Sequence, residues 1–527
     1  MIKQPPSILN DVIGPIMRGP SSSHTAASVR IGRLTRQMVK GNLREVIVEF
    51  DRRGSLATTY HGQGSDFGFV GGLLNYEPQD ENLILSIKKA EDKGIKITFE
   101  ITDYEASHPN TYKVKVVSDL NEEMCLIAIS VGGGMIEIQS INNLPVNISG
   151  DFFETLLFFK DTNESVIESH KLLIEKSLKD IEHIEGIVKL SQGLINIKTN
   201  KRILEEDIHK LSELFEVNRI IQLEPVLPIQ SRKNCIVPFG NAKGMLEVGI
   251  AQNLSLWELA VLYESTRGNI SKEQVIKIME ENIKIMDESI QEGLRGTLYE
   301  DRILGPQAWL IGKAKQEGKL IGGDVMNTVT SYITAIMEVK SSMGVIVAAP
   351  TAGSCGSLPG TIIGTALEMG KSHDDIVKAM FVAGIIGVFI AGKSGFAAEV
   401  GGCQVECGAS SGMAAAGLIQ LMGGTVQQGI DAASMALQNV LGMVCDPVAD
   451  RVEVPCLGKN VMAGVNAIAC ANMVLSGFDK VIPLDETVIA MDKVGRMIPY
   501  ELRCTGFGGL SITETSKNIF KRLNTLE

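Results

Sequence analysis

Apolar and polar residues alternate over 46–50, 95–101 and 113–117 in the manner of half-buried strands, and segments 110–118 and 125–131 are expected to pair in one sheet. Residues 26–38 carry the period of a helix. Between 151 and 230 the pattern switches repeatedly. It predicts a strand at 154–160, a helix at 164–178, strands at 187–190 and 194–198, a helix at 205–215 and a strand at 220–223. A hinge at 225–241 leads into 254–291, which has the period and charge of exposed amphipathic helices. The rest of the chain reads as mostly helical. Its longest nearly uncharged apolar run in a candidate helix, 379–392, has 14 residues, short of the roughly 18 that span a bilayer, and predicts a buried core helix.

The 527 residues predict three or four domains at about 100–200 residues each. The expected fold is an α+β N-terminal domain (1–150), a βαββαβ middle module (151–230), a linker (231–253) and an all-α C-terminal domain (254–527). The middle module is similar in topology to an ACT domain, a ferredoxin-like unit that often binds an amino acid or mediates oligomerisation. A spacer with no ligand is the plainer reading. Fifty Lys and Arg against 62 Asp and Glu give a formal charge of -12, and aromatic residues make up 5%. That composition lacks the basic, stacking surface of a nucleic-acid binder, and no membrane partner is expected. The N-terminus lacks the features of a secretory signal, so a cytoplasmic location and reduced thiols are expected.

Six of the nine cysteines fall between 341 and 480, where 140 residues hold only 16 charged ones. A site inside that stretch would be dry, which strengthens metal and electrostatic interactions. Cys403, Cys445 and Cys456 are 42 and 11 residues apart, a spacing that fits no compact metal template. Taken alone they read as buried structural cysteines or as a thiolate cluster at loop ends. Ser21, Ser22, Ser23, His24 and Thr25, after a Gly-Pro turn and before the 26–38 helix, form either a carboxylate cradle or a helix cap.

Gly19-Pro-Ser-Ser-Ser-His-Thr25, Gly54-Ser-Leu56 with Asp66, Pro350-Thr-Ala-Gly-Ser-Cys-Gly356, Gly402-Cys-Gln404, Cys445-Asp-Pro-Val448 and Val454-Pro-Cys456 occur in this order. Together they resemble the iron–sulfur-dependent L-serine dehydratases, or L-serine ammonia-lyases, with the family's β-type domain over 1–150 and its α-type domain over 254–527. The resemblance implies a 4Fe–4S cluster on Cys403, Cys445 and Cys456, one iron without a cysteine, an amino-acid substrate fixed by the 21–25 loop, and a homodimer. An open iron acts as a Lewis acid on the β-hydroxyl of serine while a base takes the α-proton, giving pyruvate and ammonia.

Three departures from the family pattern bear on function. Gln63 stands where the family's histidine base is expected, which leaves His61, two residues earlier, and His24 as candidate bases, with a purely structural His61 the other reading. Lys340 stands where the family has asparagine, either to pair with a substrate carboxylate or as a solvated side chain. The chain ends in Asn524-Thr-Leu-Glu527 rather than in the cysteine tail of some members, and Cys504 is the nearest alternative. Threonine, cysteine or another small β-substituted amino acid stays open as substrate, as does a non-catalytic amino-acid sensor. A pyridoxal-phosphate lyase would need Lys393 as its Schiff-base lysine, in a Gly-Lys-Ser string that does not fit a P-loop.

Overall fold

Ser7 caps a tight π-type turn, Ile8–Val12, with its hydroxyl accepting from the backbone N–H groups of Leu9 and Asn10. The computed structural model describes residues 4–523. Ile8, Leu9, Val12 and Ile13 are buried in the same core as the C-terminal helices. Gly384 and Gly387 admit them, since a Cβ at either position would stand 2.5 Å from Ile8 or 2.2 Å from Val12. Strand β1 (Ile16–Arg18) follows. The N-terminal segment therefore belongs physically to the helical half, a long-range packing that a local pattern does not reveal.

A second π-type turn, Ser22–Ala26, runs into the helix Ala27–Gln37. Six strands form one sheet: β2 (Leu43–Asp51), β3 (Lys96–Thr102), β4 (Thr111–Ser118), β5 (Glu123–Gly132), β6 (Met135–Ile141) and β7 (Leu144–Ile148). Their order is β3-β2-β4-β5-β6-β7, parallel between β2 and β3 and antiparallel elsewhere. The expected pairing of 110–118 with 125–131 is present as β4–β5. The helices Ala27–Gln37 and Ser65–Leu73 pack on each other through Gly32 and Gly72.

Next come β8 (Phe153–Phe159), a helix Glu164–Ser177, β9 (Ile181–Lys189), β10 (Gln192–Thr199), a helix Glu205–Leu214 and β11 (Arg219–Leu223). All neighbours are antiparallel in the order β11-β8-β10-β9. Strand β9 starts six residues before its expected start, because the 181–186 stretch mixes Glu and His with Ile and hides its alternation. The segment expected as a linker contains the helix Ala242–Gln252.

The C-terminal half is largely helical. The amphipathic helices Leu256–Gly268 and Lys272–Arg295 each bury one face. His373–Ala391 is the expected core helix, fully buried over most of its length. Around it pack Ser357–Glu368, Cys407–Leu421, Val426–Gln438 and Cys456–Leu475. This half is not all-α. Strand β12 (Val345–Val347) pairs antiparallel with β1, Met17 opposite Ile346. Among the described residues no helix is long and apolar enough to cross a membrane.

Candidate active site

Gly402 has φ +73°, and a Cβ there would stand 2.7 Å from the Met443 carbonyl oxygen. Glycine thus lets Cys403 lie against the 443–445 segment. Gln404 fastens the two. Its side-chain oxygen accepts from Gly442 N–H at 2.9 Å, its amide donates to the Met491 carbonyl at 2.8 Å, and its backbone N–H donates to the Met443 carbonyl at 3.2 Å. Cys445 is held from the other side. Its N–H donates to the Leu502 carbonyl, and Cys504 N–H donates to the Cys445 carbonyl, both at 2.8 Å. Cys456 opens the helix Cys456–Leu475, whose positive end favours a thiolate. Asn460, one turn on, donates to the carbonyls of Cys456 and Gly353 at 2.8 Å each. The sulfurs of Cys403 and Cys445 and a carboxylate oxygen of Glu406 come within 4.8 Å of one another. Cys445, Cys456 and Cys504 line one cavity with Ser21, Ser23, Gln63, Glu399 and Glu406, and Cys403 stands beside Cys445 and Glu406.

The Cys445 thiol donates to Cys403, which holds Cys403 below the usual thiol range and Cys445 well above it. Burial pushes the Cys456 thiol up. Burial works against a charged Lys459, yet the field of Cys403, Cys445 and Cys456 outweighs it and raises the lysine. Lys459 Nζ lies 3.9 Å from the Cys403 sulfur and donates to the Val444 carbonyl at 2.7 Å and to Asp446 at 3.0 Å. It is a fixed cation beside the thiols.

On the opposite wall the hydrogen bonds fix a tautomer. Thr59 Oγ1 donates to the Ser55 carbonyl at 2.7 Å, so at 2.8 Å from His24 it accepts, and His24 Nε2 carries the proton. The Ser23 hydroxyl donates to Glu399 Oε1 at 2.8 Å. That leaves Ser21 Oγ, 3.0 Å from His24 Nδ1, to donate to the ring's lone pair. Burial lowers the His24 pKa to about 4 against the pull of Glu399, so the ring is neutral near pH 7. Ser21 therefore lines the cavity with its proton turned toward a neutral imidazole.

Two family models match. The serine dehydratase alpha chain model covers residues 251–511 and the serine dehydratase beta chain model covers residues 12–140. A probable L-serine dehydratase alpha chain of Bacillus subtilis is 35% identical over 285 residues, 54% of this chain and 95% of that protein. The chain belongs to the serine dehydratase family. A probable L-serine dehydratase beta chain of the same organism is 37% identical over 216 residues, 41% of this chain and 96% of that protein. An L-serine dehydratase of Helicobacter pylori is 24% identical over 505 residues, 94% of this chain and 96% of that protein. This member thus carries in one chain what the Bacillus relatives carry in two.

The structure brings together most of the residues that the family resemblance singles out. Ser21 and Ser23 reach the cavity. Ser22 and Thr25 secure the loop instead: Ser22 Oγ accepts from Ala352 N–H at 3.2 Å, and Thr25 Oγ1 donates to the Gln63 carbonyl at 2.9 Å. His24 is fully buried behind Ser21. His61 is half-exposed, bonded to Asp66 at 2.5 Å, and does not line this cavity. Lys340 is buried, and its ammonium donates to the carbonyl of the cavity-lining Val452. Sequence reasoning passed over Lys459, Glu399 and Glu406. Signals for them exist, since Lys459 lies one helical turn from Cys456 and both glutamates flank Cys403 within four residues.

Proposed function

We propose that the protein is an L-serine dehydratase, an ammonia-lyase converting L-serine to pyruvate and ammonia, with a 4Fe–4S cluster on Cys403, Cys445 and Cys456. The observation that carries the reading is that Cys445 and Cys456 line one cavity with Ser21, Ser23 and Glu399, the Cys403 sulfur standing beside Cys445, in a chain that matches both serine dehydratase models. The donor set suits the cluster. It is soft, buried and free of disulfides, and Lys459 offsets its negative charge. When bound, the cluster supplies a Lewis-acidic iron for the substrate β-hydroxyl.

The chain's own residues supply the rest. The substrate carboxylate lies at the start of the Ser22–Ala26 turn, where the first N–H groups have no preceding carbonyl partner. Ser21 Oγ takes the α-proton as its own proton passes to His24 Nδ1, 3.0 Å away. The β-hydroxyl points to the cysteines. His61 with Asp66 is the second candidate base. Lys340 acts on substrate binding through the Val452 carbonyl that it holds. The antiparallel order β11-β8-β10-β9 with two helices supports an ACT-like module over 151–230, between a β-type unit at 1–150 and, past 231–253, an α-type unit at 254–527. We take the protein to be a cytoplasmic homodimer.

Protein purified without oxygen is expected to hold about four irons per chain and to form pyruvate from L-serine faster than keto acid from L-threonine or L-cysteine. Cys403→Ala should lose iron and turnover together. Ser21→Ala should keep its iron and lose about 10²–10⁴-fold in kcat, whereas His61→Ala should keep both. Full activity in iron-free protein overturns the reading. Iron-loaded protein that binds L-serine without releasing pyruvate is a sensor.

A further inference from the structure

Glu399 is 5% exposed and lines the cavity. One of its oxygens, Oε1, accepts from the Ser23 hydroxyl at 2.8 Å and lies 3.7 Å from His24 Nδ1. The other, Oε2, is buried without a hydrogen-bond partner among the described residues. Removing a carboxylate oxygen from water without a new partner is unfavourable. Such an oxygen in the wall of a reaction cavity is a place kept for a donor that arrives with the ligand.

The second carboxylate of the cavity is engaged differently. Glu406 bonds to the Thr351 side chain and stands among the sulfurs of Cys403 and Cys445. The two acids thus face different parts of the ligand, Glu406 at the thiol end and Glu399 at the serine-loop end. Ser23 contributes by fixing Glu399: with its proton committed to Oε1, it holds the carboxylate so that Oε2 is the free acceptor.

We propose that Glu399 is the receptor for the substrate's α-ammonium group and makes the site selective for an amino acid over the corresponding hydroxy acid. The assignment rests on the L-serine dehydratase reading above. It sets the head group of the substrate by Ser21 and Glu399, with its side chain toward the cysteines. Ser21 Oγ then lies on the side of the cavity that the α-carbon occupies. The ammonium donates a charge-assisted hydrogen bond to Oε2.

The test compares L-serine with 3-hydroxypropionate, which is serine without its ammonium group, on iron-loaded wild type and Glu399→Gln. The variant is expected to raise KM for L-serine about 10–100-fold, with kcat falling less than tenfold and iron content unchanged. The Kd of 3-hydroxypropionate, measured by calorimetry, should stay the same or tighten. Equal weakening of both ligands would overturn the proposal, and so would an unchanged KM. A kcat loss of several hundredfold at constant KM would make Glu399 a proton acceptor instead. Ser23→Ala, which keeps the charge and releases Oε1, should raise the serine KM about 2–10-fold without touching 3-hydroxypropionate, and it decides the matter if Glu399→Gln does not fold. Iron-loaded wild type that makes no pyruvate from L-serine would instead sink the dehydratase reading, and this assignment with it.

Discussion

His24 has no exposure to solvent, and its two ring nitrogens are used by Thr59 on one side and the Ser21 hydroxyl on the other. Unfolded, the ring takes a proton near pH 6.5; folded, only near pH 4. Between these values the unfolded chain binds more protons, so acid favours unfolding, and the native state loses about 3 kcal/mol through this residue as the pH falls from 6.5 to 4. Denaturant titrations of wild type and His24→Asn over that range should show a shallower loss in the variant; parallel curves would mean that the ring is protonated inside the fold. The histidine, the serines and the three cysteines were legible because they sit in short strings whose order is specific. Glu399 was not legible as a partner of Ser23, since 376 residues separate them and only the tertiary fold makes the contact. Gln63 was legible as a departure, and its position explains it: it lines the cavity and its amide donates to the Cys504 sulfur at 3.5 Å.

Helix pairs set the distance between the two walls of the cavity. The helices Ala27–Gln37 and Ser65–Leu73 follow directly on the serine loop and on Gln63, so any change in their spacing displaces both. They approach through Gly32 and Gly72. A Cβ at Gly72 would stand 2.1 Å from the Val29 carbonyl oxygen and 2.8 Å from Arg33 N, backbone atoms that no rotamer change moves aside. Gly72→Ala is therefore expected to force the helices apart and to destabilise the protein by about 1–3 kcal/mol, read as a lower denaturant midpoint with the slope unchanged. A loss below about 0.5 kcal/mol would mean that the pair has room to spare. Elements with a clean period, such as the Glu164–Ser177 helix and β10, were visible in the sequence. The π-type turns at 8–12 and 22–26 were not, because five residues are too few to establish a period and their geometry is imposed by the site and the core around them.

At the scale of the whole chain, the part that matches the beta chain model and the part that matches the alpha chain model are laced together rather than strung in series. Residues 8–13 and strand β1 lie in the core and on the edge of the helical half. The Ser7 hydroxyl and the Ile8 N–H donate to the buried carboxylate of Glu264. Nearer the site, the Ser55 hydroxyl donates to the Cys504 carbonyl at 2.6 Å and Thr58 Oγ1 to the Thr505 carbonyl at 3.0 Å, which ties the Gly54-Ser-Leu56 turn to the segment that holds Cys445. Withdrawing the N-terminal segment would open an apolar groove on the His373–Ala391 helix and leave Glu264 buried without its donors, an outcome unfavourable by several kcal/mol. The covalent link between the halves, in contrast, is exposed at Lys233 and Asn234. A protease site inserted between these two residues and cut after folding should give two fragments that elute together from a sizing column and keep the iron and turnover of the intact chain. The Bacillus relatives, named as separate alpha and beta chains, are the natural form of that experiment. Separation of the fragments in native buffer would show that the laced contacts are weaker than the buried carboxylate and the filled groove require.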